Sequence, residues 1–198
     1  MALPRRKLHF PPAGTMASVN SFACSKPSTP SMSNTCPLAS GVTSRVVDGY
    51  ADDQGRCDAS PKGDPPGQLV HIVDDTTIAI AERPGNRRVD GYHNVLINPR
   101  VGLNFFVPGR GDTLRINGRA RLVSDADFFE ALVVKGHHPV LALVVEIEEV
   151  FYHCAKAFMR SQLWQPETWQ PDVLPSVAAI SKATIPDSPE TLEQLEAY

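Results

Sequence analysis

Two adjacent arginines stand where a predicted strand passes into a predicted helix, in the segment ERPGNRRVDGYHNVLINP. Arg87 and Arg88 follow a Pro-Gly-Asn turn that ends at Asn86. The N-terminus of a helix already carries partial positive charge, so two more cations are poorly placed for stability alone. Backbone amides at a helix N-terminus, reinforced by guanidinium groups, are suited to binding phosphate. The pattern indicates an anion site; the alternative is a solvated basic turn paired with Glu82 or Asp90.

Lys62 is a second candidate for an anion ligand. It lies in the segment SPKGDPPG, which we interpret as a stiff loop because proline and glycine cluster there. Such a loop would hold Lys62 and Asp64 over a ligand. The alternative is an ordinary Pro-Gly turn without a ligand.

A third group of candidates lies on the predicted strand TLRINGRARLV, whose apolar residues alternate with polar ones. Arginine recurs on the polar face, and for Arg119 and Arg121 a solvated sheet face is sufficient explanation. Arg115 lies beside Thr113 at the start of the strand. That position favours contact with a ligand.

The segment FYHCAKAFMRSQLW holds a further polar group near the end of the predicted core. If a strand passes into a helix there, His153, Lys156 and Arg160 would converge on the polar edge of a ligand. We therefore regard them as candidates for the substrate side. The alternative is that they cap the final strand of the barrel.

We expect no metal centre. His137 and His138 are adjacent, as are His153 and Cys154, and adjacent residues on a strand point to opposite faces. The chain contains no G-x-S-x-G elbow, no P-loop and no dinucleotide-binding fingerprint. Any chemistry would therefore be carried by a cofactor.

The composition argues against nucleic acid and membranes as partners. The 198-residue chain has a formal net charge of -3, which gives no overall attraction to polyanions. No apolar run reaches the roughly 20 residues that a membrane-spanning helix needs. The cysteine spacing indicates neither a metal site nor a disulfide framework, so a reducing, cytoplasmic setting is expected.

The chain changes character near residue 46. Residues 1–46 are rich in Ser, Pro and Thr, contain no acidic residue and predict a disordered or non-domain segment. The alternative is an organellar import signal. Residues 47–165 predict short strands, brief connections and two brief helices, which together favour a mainly β, mostly antiparallel barrel with helices outside. Ser124 is expected to cap the second helix. Residues 166–198 predict a C-terminal extension with a short helix.

Four segments occur in an order that resembles a known family: CDASPKGDPPG, RPGNRRVDGYHNVLINP, LRINGRARL and HCAKAFMRSQLW. They span about residues 48–165 and are similar to the FMN-binding split barrels of the pyridoxamine 5′-phosphate oxidase-like family, closest to a branch grouped as FMN-dependent. The resemblance implies a split β-barrel over residues 47–165. It also implies FMN as cofactor and a homodimer with two flavin sites at its interface.

The resemblance extends to individual positions of the cofactor site. Arg87 and Arg88 match the segment that holds the flavin phosphate, with Asn86 in its turn. Thr113 and Arg115 lie where the family contacts the flavin ring and ribityl chain. Lys62 matches a basic position in the SPKGD segment, and its role as a cofactor ligand is our inference.

Two departures from the family limit what the resemblance implies. The apolar first strand of the family is replaced by Ser- and Pro-rich sequence, so the first barrel strand is expected to be shortened to RVVDGYA or missing. The C-terminal arginine–histidine pair of true pyridoxamine phosphate oxidases has no clear counterpart. The predicted activity is therefore FMN-dependent oxidoreduction of an unidentified small molecule. The alternatives are a flavin-binding protein without turnover, or a related barrel that uses deazaflavin or haem.

Overall fold

The structure is a computed structural model that describes residues 45–85, 88–185 and 191–196. Most of the predicted N-terminal segment 1–46 lies outside the described residues, as do Asn86 and Arg87 of the predicted phosphate site. The hypotheses on these residues stay predictions.

The described residues form one seven-stranded sheet with the strand order β2-β1-β5-β6-β7-β4-β3. Every pair of neighbours in this order is antiparallel. The strands are β1 (Arg45–Ala51), β2 (Cys57–Gly63), β3 (His71–Asp74), β4 (Thr77–Ala81), β5 (Arg100–Phe106), β6 (Thr113–Val123) and β7 (Ala142–His153). The predicted mainly β, split-barrel fold with short flanking helices is confirmed. The sheet is not closed, because β2 and β3 are its two edges.

The first strand is present. β1 has 7 residues and pairs along its length with β2 on one side and with β5 on the other. This length is ordinary for a strand in a globular protein. The segment RVVDGYA therefore supplies an internal strand.

Alternation along the strands builds the core. On β5 the inward residues Val101, Leu103 and Phe105 are at most 5% exposed, as the sequence predicts. On β6 Ile116 is fully buried, whereas the arginines of that strand face outward. Burial of such side chains contributes about 1.5–3 kcal/mol each and is the main favourable term of folding.

Two local predictions are wrong. Lys62 lies in β2 and not in a loop, because the edge strand continues through Pro61, whose missing N–H costs little at a sheet edge. Ser124 does not cap a helix; a 3-10 helix spans Asp127–Leu132 and follows an extended Ala126.

The first helix, α1 (Asp90–Ile97), also differs from its prediction, because the helical spacing of Val89, Tyr92 and Leu96 in the sequence predicts that these three residues share the buried face. Tyr92 is buried as expected, but Val89 and Leu96 are exposed. The buried face consists of Gly91, Tyr92 and Val95 instead. Gly91 sets this face, because a Cβ there would lie 2.5 Å from Cε2 of Tyr50 on β1. The helix therefore packs closely on the ring of Tyr50.

The chain divides into two compact units between Ala155 and Lys156. The second unit contains α2 (Lys156–Ser161), 3-10 turns at Pro166–Thr168 and Pro171–Val173, α3 (Val177–Thr184) and α4 (Leu192–Glu196). Ser176 caps α3 by accepting a hydrogen bond from the N–H of Ala179 at 3.1 Å. None of the described helices is long and apolar enough to cross a membrane. The domain boundaries 47–165 and 166–198 stay predictions.

Candidate functional site

A cavity of about 450 Å³ lies where β2, the residues after β4 and the start of α1 face one another. It lies beside the open edge of the sheet, since β2 is one of the two edge strands. Its polar lining comes from these three elements, the residue Asp64 just after β2, and Tyr50 on β1: Tyr50, Asp58, Ser60, Lys62, Asp64, Glu82, Arg83, Arg88, Asp90 and Tyr92.

Lys62 lies at the centre of a network of charged and polar groups. Its Nζ is 3.4 Å from Oδ2 of Asp48 and 3.7 Å from Oε2 of Glu82. It also donates to Oγ of Ser60 at 3.4 Å and lies 5.0 Å from the ring centroid of Tyr92. The side chain is only 13% exposed, so solvent screens these contacts weakly. One ammonium group is thus shared between two carboxylates.

Asp48 is a charged residue in the core. It is fully buried on β1, on the same inward face as Val46 and Tyr50. Burial raises the pKa of Asp48, while Lys62 and the hydrogen bond from Tyr50 act in the opposite direction. The Tyr50 hydroxyl donates to Oδ2 at 2.6 Å, and Oδ1 has no hydrogen-bond partner among the described residues. Asp48 is therefore held in place by two donors.

Glu82 and Tyr92 form the second carboxylate–tyrosine pair at Lys62. The Tyr92 hydroxyl donates to Oε2 of Glu82, the same oxygen that Lys62 approaches. Burial is the main cause that raises the pKa of Tyr92, and it also raises the pKa of Tyr50. Both tyrosines therefore stay protonated at neutral pH and act as hydroxyl donors.

Arg83 joins the two sides of the cavity. Its Nε lies 3.0 Å from each carboxylate oxygen of Asp64, which follows β2, whereas Arg83 follows β4. Nη2 of Arg83 is buried and has no hydrogen-bond partner among the described residues. A buried donor without a partner costs stability, so this atom is suited to receive an acceptor from a ligand.

Arg88 lies at the mouth of the cavity, just before α1. Its side chain is 75% exposed and its Nη2 lies 2.7 Å from Oδ2 of Asp90 in the first turn of the helix. The pair matches the alternative that the sequence left open for the basic turn, and Arg88 also lines the cavity. Arg88 is therefore paired with Asp90 as that alternative predicts, and its role at a phosphate stays a prediction.

The structure brings together some of the predicted cofactor residues. Lys62 and Arg88 line the same cavity. Thr113 and Arg115 do not line it: Thr113 is buried on β6, and the exposed Arg115 lies 5.8 Å from the ring centroid of Phe151. Their contact with the flavin ring and ribityl chain stays a prediction.

The predicted substrate-side residues belong to different units. His153 ends β7 in the first unit, whereas Lys156 and Arg160 lie on α2 in the second. All three side chains are exposed. Their role at the substrate stays a prediction.

Several residues of the network were missing from the site predicted by sequence: Asp48, Tyr50, Glu82, Arg83 and Tyr92. For Asp48 a signal existed, because alternation in RVVDGYA puts this carboxylate on the same face as two apolar residues. For Glu82 and Arg83 the only signal was their position directly after the buried strand TIAIA.

The donor set is suited to an anion of the phosphate type. Lys62, Arg83 and Arg88 all line the cavity, and each contacts a carboxylate of the protein. The site is therefore not a bare positive patch. A ligand phosphate would share or replace the acceptors that these donors now have, whereas Nη2 of Arg83 has no acceptor to give up among the described residues.

Part of the chain matches a known protein family. A family model described as pyridoxamine 5′-phosphate oxidase matches residues 51–154, which is more than half of the 198-residue chain. The chain belongs to this family. The matched range contains β2 to β7, α1 and nearly all residues of the cavity. The family assignment made from the sequence is confirmed, and the family is one of flavin-binding, oxidoreductase-type proteins.

Solved structures with a similar fold are distant in sequence. HupZ of Group A Streptococcus is 18% identical over 58% of this chain and 87% of its own, with a TM-score of 0.44. A Clostridium acetobutylicum protein related to general stress protein 26 is 18% identical over 59% of this chain and 82% of its own, with a TM-score of 0.42. A pyridoxamine 5′-phosphate oxidase-related, FMN-binding protein of Nostoc punctiforme is 11% identical over 55% of this chain and 72% of its own, with a TM-score of 0.38. No curated protein gives a significant match.

Proposed function

We propose that the protein is an FMN-dependent oxidoreductase that acts on an unidentified small molecule and holds the FMN phosphate in the cavity at the open edge of its sheet. The observation that carries the proposal is the convergence of Lys62, Arg83 and Arg88 on one cavity in a chain of this family.

The size and chemistry of the cavity support a mononucleotide ligand. Its volume of about 450 Å³ falls within the usual range for small-molecule and cofactor sites. A phosphate monoester carries a charge of about -2 near neutral pH and offers strong acceptor oxygens. Lys62 and Nη2 of Arg83 are buried donors, and Arg88 adds a guanidinium at the mouth. Charge-assisted hydrogen bonds from such donors are stronger than neutral ones.

Bound FMN would supply the electron or hydride transfer, which the side chains described at the cavity do not themselves provide. In this proposal Asn86 and Arg87 add to the phosphate site, and Thr113 and Arg115 contact the ring and ribityl chain. His153, Lys156 and Arg160 are the candidates for the substrate side. A homodimer with two flavin sites and a cytoplasmic location complete the proposal.

The first test is the absorbance of the purified full-length protein, together with mass spectrometry of the ligand released on denaturation. We expect a yellow protein with a flavin spectrum that bleaches on reduction, and FMN as the released ligand. A deazaflavin or haem spectrum would show that the cofactor is that compound and not FMN. Flavin that binds but never accelerates oxidation of any reductant would indicate a binding protein without turnover.

The second test assigns the phosphate site. Lys62→Gln and Arg88→Gln are titrated with FMN and with riboflavin, which lacks the phosphate. We expect FMN affinity to fall by about tenfold or more in Lys62→Gln, less in the exposed Arg88→Gln, and riboflavin affinity to change little. Arg119→Gln, on the outward face of β6, is the control for loss of one positive charge. Unchanged FMN affinity in both cavity variants would overturn the assignment.

A further inference from the structure

We propose that Glu82 is an internal competitor for the anion site. Its carboxylate accepts a hydrogen bond from the Tyr92 hydroxyl and forms an ion pair with Lys62 Nζ, the two groups that would hold a ligand phosphate, and it releases them when the ligand binds. The inference rests on the proposed function, since it concerns the same cavity, and it names what regulates occupancy of that cavity.

The first step is the convergence of both donors on a single oxygen. Tyr92 donates to Oε2 of Glu82, and the Nζ of Lys62 lies 3.7 Å from the same atom. Tyr92 is 6% exposed and the Lys62 side chain 13% exposed. Two buried donors directed at one acceptor define a position where an anionic oxygen is favoured. Glu82 itself lines the cavity, so a ligand can reach that position.

The second step is the difference between the two carboxylates that share Lys62. Asp48 is fully buried on an internal strand and is hydrogen-bonded to Tyr50, so it cannot leave. The Glu82 side chain is 34% exposed and follows the end of β4. Its backbone is fixed by a hydrogen bond from its N–H to the Leu141 carbonyl at 2.8 Å, which leaves the side chain as the movable part. Asp48 is thus the permanent partner of Lys62 and Glu82 the exchangeable one.

Charge repulsion also makes Glu82 and a phosphate mutually exclusive at this position. With Asp48 and Glu82 ionised, Lys62 already has two anionic neighbours. A phosphate beside an ionised Glu82 would face a like charge in a poorly solvated site, which opposes binding. When the Glu82 side chain turns to solvent, the phosphate takes its place beside Lys62 Nζ and the Tyr92 hydroxyl. The repulsion between the phosphate and the carboxylate then falls. The buried donors therefore have an acceptor both before and after binding.

This exchange sets an affinity threshold for occupancy of the site. A free phosphate ion offers only the contacts that Glu82 already provides, so it gains little by displacing the carboxylate. A phosphate ester with an organic group adds contacts elsewhere in the cavity and can win the competition. The cost of displacing Glu82 is the same for both ligands, so the contacts of the organic group decide which ligand is specifically bound.

The test is Glu82→Gln, with Glu82→Ala as a second variant that removes the side chain altogether. Glutamine keeps an acceptor for Tyr92 but removes the charge. The matched control is Glu146→Gln, which removes one negative charge from an exposed position of β7 outside the cavity. For each protein, FMN and riboflavin are titrated by flavin fluorescence, and inorganic phosphate is used to compete with bound FMN. Thermal unfolding shows that each variant is folded.

We expect both Glu82 variants to bind FMN about tenfold tighter than the wild-type protein, with riboflavin unchanged. The inhibition constant of inorganic phosphate, taken from its competition with FMN and corrected for FMN affinity, should fall by a similar factor in the Glu82 variants, because Glu82 opposes both anions alike. Weaker or unchanged FMN binding in both variants, with wild-type binding still dependent on Lys62, would overturn the role of Glu82 and leave the proposed function standing. Absence of FMN binding in every protein would overturn both.

Discussion

Two regions of the sheet are held together in different ways. In the ladder region, formed by β5, β6 and β7, neighbouring strands pair over long stretches, and β6 pairs with β7 from Thr113 to Val123 with one register shift between Asn117 and Gly118. In the split, formed by β2, the residues after β4 and the start of α1, the contacts are made by side chains. Lys62 contacts Glu82 there, and Arg83 contacts Asp64.

The difference explains where a ligand can bind. Backbone N–H and C=O groups in the ladder region pair along the strands, and most inward side chains are apolar and buried, so few polar groups there can exchange a partner for a ligand. Thr113 and Arg115, the proposed contacts of the flavin ring and ribityl chain, lie at the start of β6. At the split the polar groups belong to side chains, which can exchange one partner for another. The cavity lies on this side of the molecule. We therefore expect substitutions in the ladder region to lower mainly stability, and substitutions at the split to lower mainly ligand affinity.

The largest effect on stability is expected from Phe105→Ala in the ladder region. Phe105 is 1% exposed on β5, so truncation leaves a cavity and should lower the free energy of unfolding by about 3–5 kcal/mol. Urea unfolding measures the loss, and FMN titration of the folded variant should give an affinity close to that of the wild-type protein. Phe106→Ala, on the opposite face and only half-buried, is the control and should cost less. A variant that loses FMN affinity more than stability would contradict the separation.

The next largest effect, from Gly91→Ala, is expected on both stability and FMN affinity. Gly91→Ala puts a Cβ 2.5 Å from the ring of Tyr50, so α1 has to shift away from β1. Overpacking of this kind should cost about 1–3 kcal/mol. FMN affinity should fall as well, because Gly91, Tyr50 and Tyr92 all line the cavity.

The matched control for Gly91→Ala is Gly49→Ala on β1. A Cβ at Gly49 would approach the Gly102 carbonyl oxygen to 3.5 Å, which is an ordinary contact, so little change in stability is expected. Equal effects of the two substitutions would show that the close contact between α1 and Tyr50 is not what positions the cavity.

The sequence predicted the ladder region better than the split. Alternation of apolar residues in RVGLNFF and TLRINGRARLV follows from the pleat of a strand, so the buried faces of β5 and β6 could be read directly. The 3-10 helix at Asp127–Leu132 could not, because the serine that suggested a cap is followed by extended backbone. Local propensity was overridden there by the surrounding packing.

At the split the sequence identified Lys62 and Arg88 by residue type and position but missed most of their partners. Asp48, Glu82 and Tyr92 are distant in sequence from Lys62 and meet it only through the strand order and the packing of α1. No local pattern encodes such a meeting. The one readable sign was a carboxylate at an inward position of β1.

A smaller effect is expected across the split itself. Asp64 and Arg83 form a mostly buried, two-oxygen contact between the segments that follow β2 and β4. A double-mutant cycle with Asp64→Asn and Arg83→Gln should give a coupling energy of about 1–2 kcal/mol. The same cycle on the exposed pair Arg110 and Asp112, in the turn before β6, should give a smaller value. A coupling no larger at the split than in the exposed turn would mean that this ion pair does not hold the two segments together.

The smallest effects concern pH, and they should have opposite signs for two aspartates of the same hairpin. Burial raises the pKa of Asp48, so the folded state binds its proton more tightly than the unfolded state does. Stability associated with Asp48 is therefore present below about pH 3.8 and is lost as pH rises through the raised pKa. Asp52 differs, because hydrogen bonds led by the backbone N–H of Arg56 lower its pKa. Its contribution is present above pH 3.8 and is lost as pH falls through the lowered pKa.

The measurement is the free energy of unfolding of the wild-type protein, Asp48→Asn and Asp52→Asn between about pH 3 and about pH 7. The advantage of wild type over Asp48→Asn should shrink as pH rises, whereas its advantage over Asp52→Asn should grow. The two slopes distinguish a carboxylate whose burial dominates, Asp48 beside the split, from one whose hydrogen bonds dominate, Asp52 in the turn between β1 and β2. If both had the same sign, Asp48 would be as well solvated as a surface carboxylate. The network around Lys62 would then lack its buried anchor, and Glu82 would no longer differ from Asp48 as the exchangeable partner.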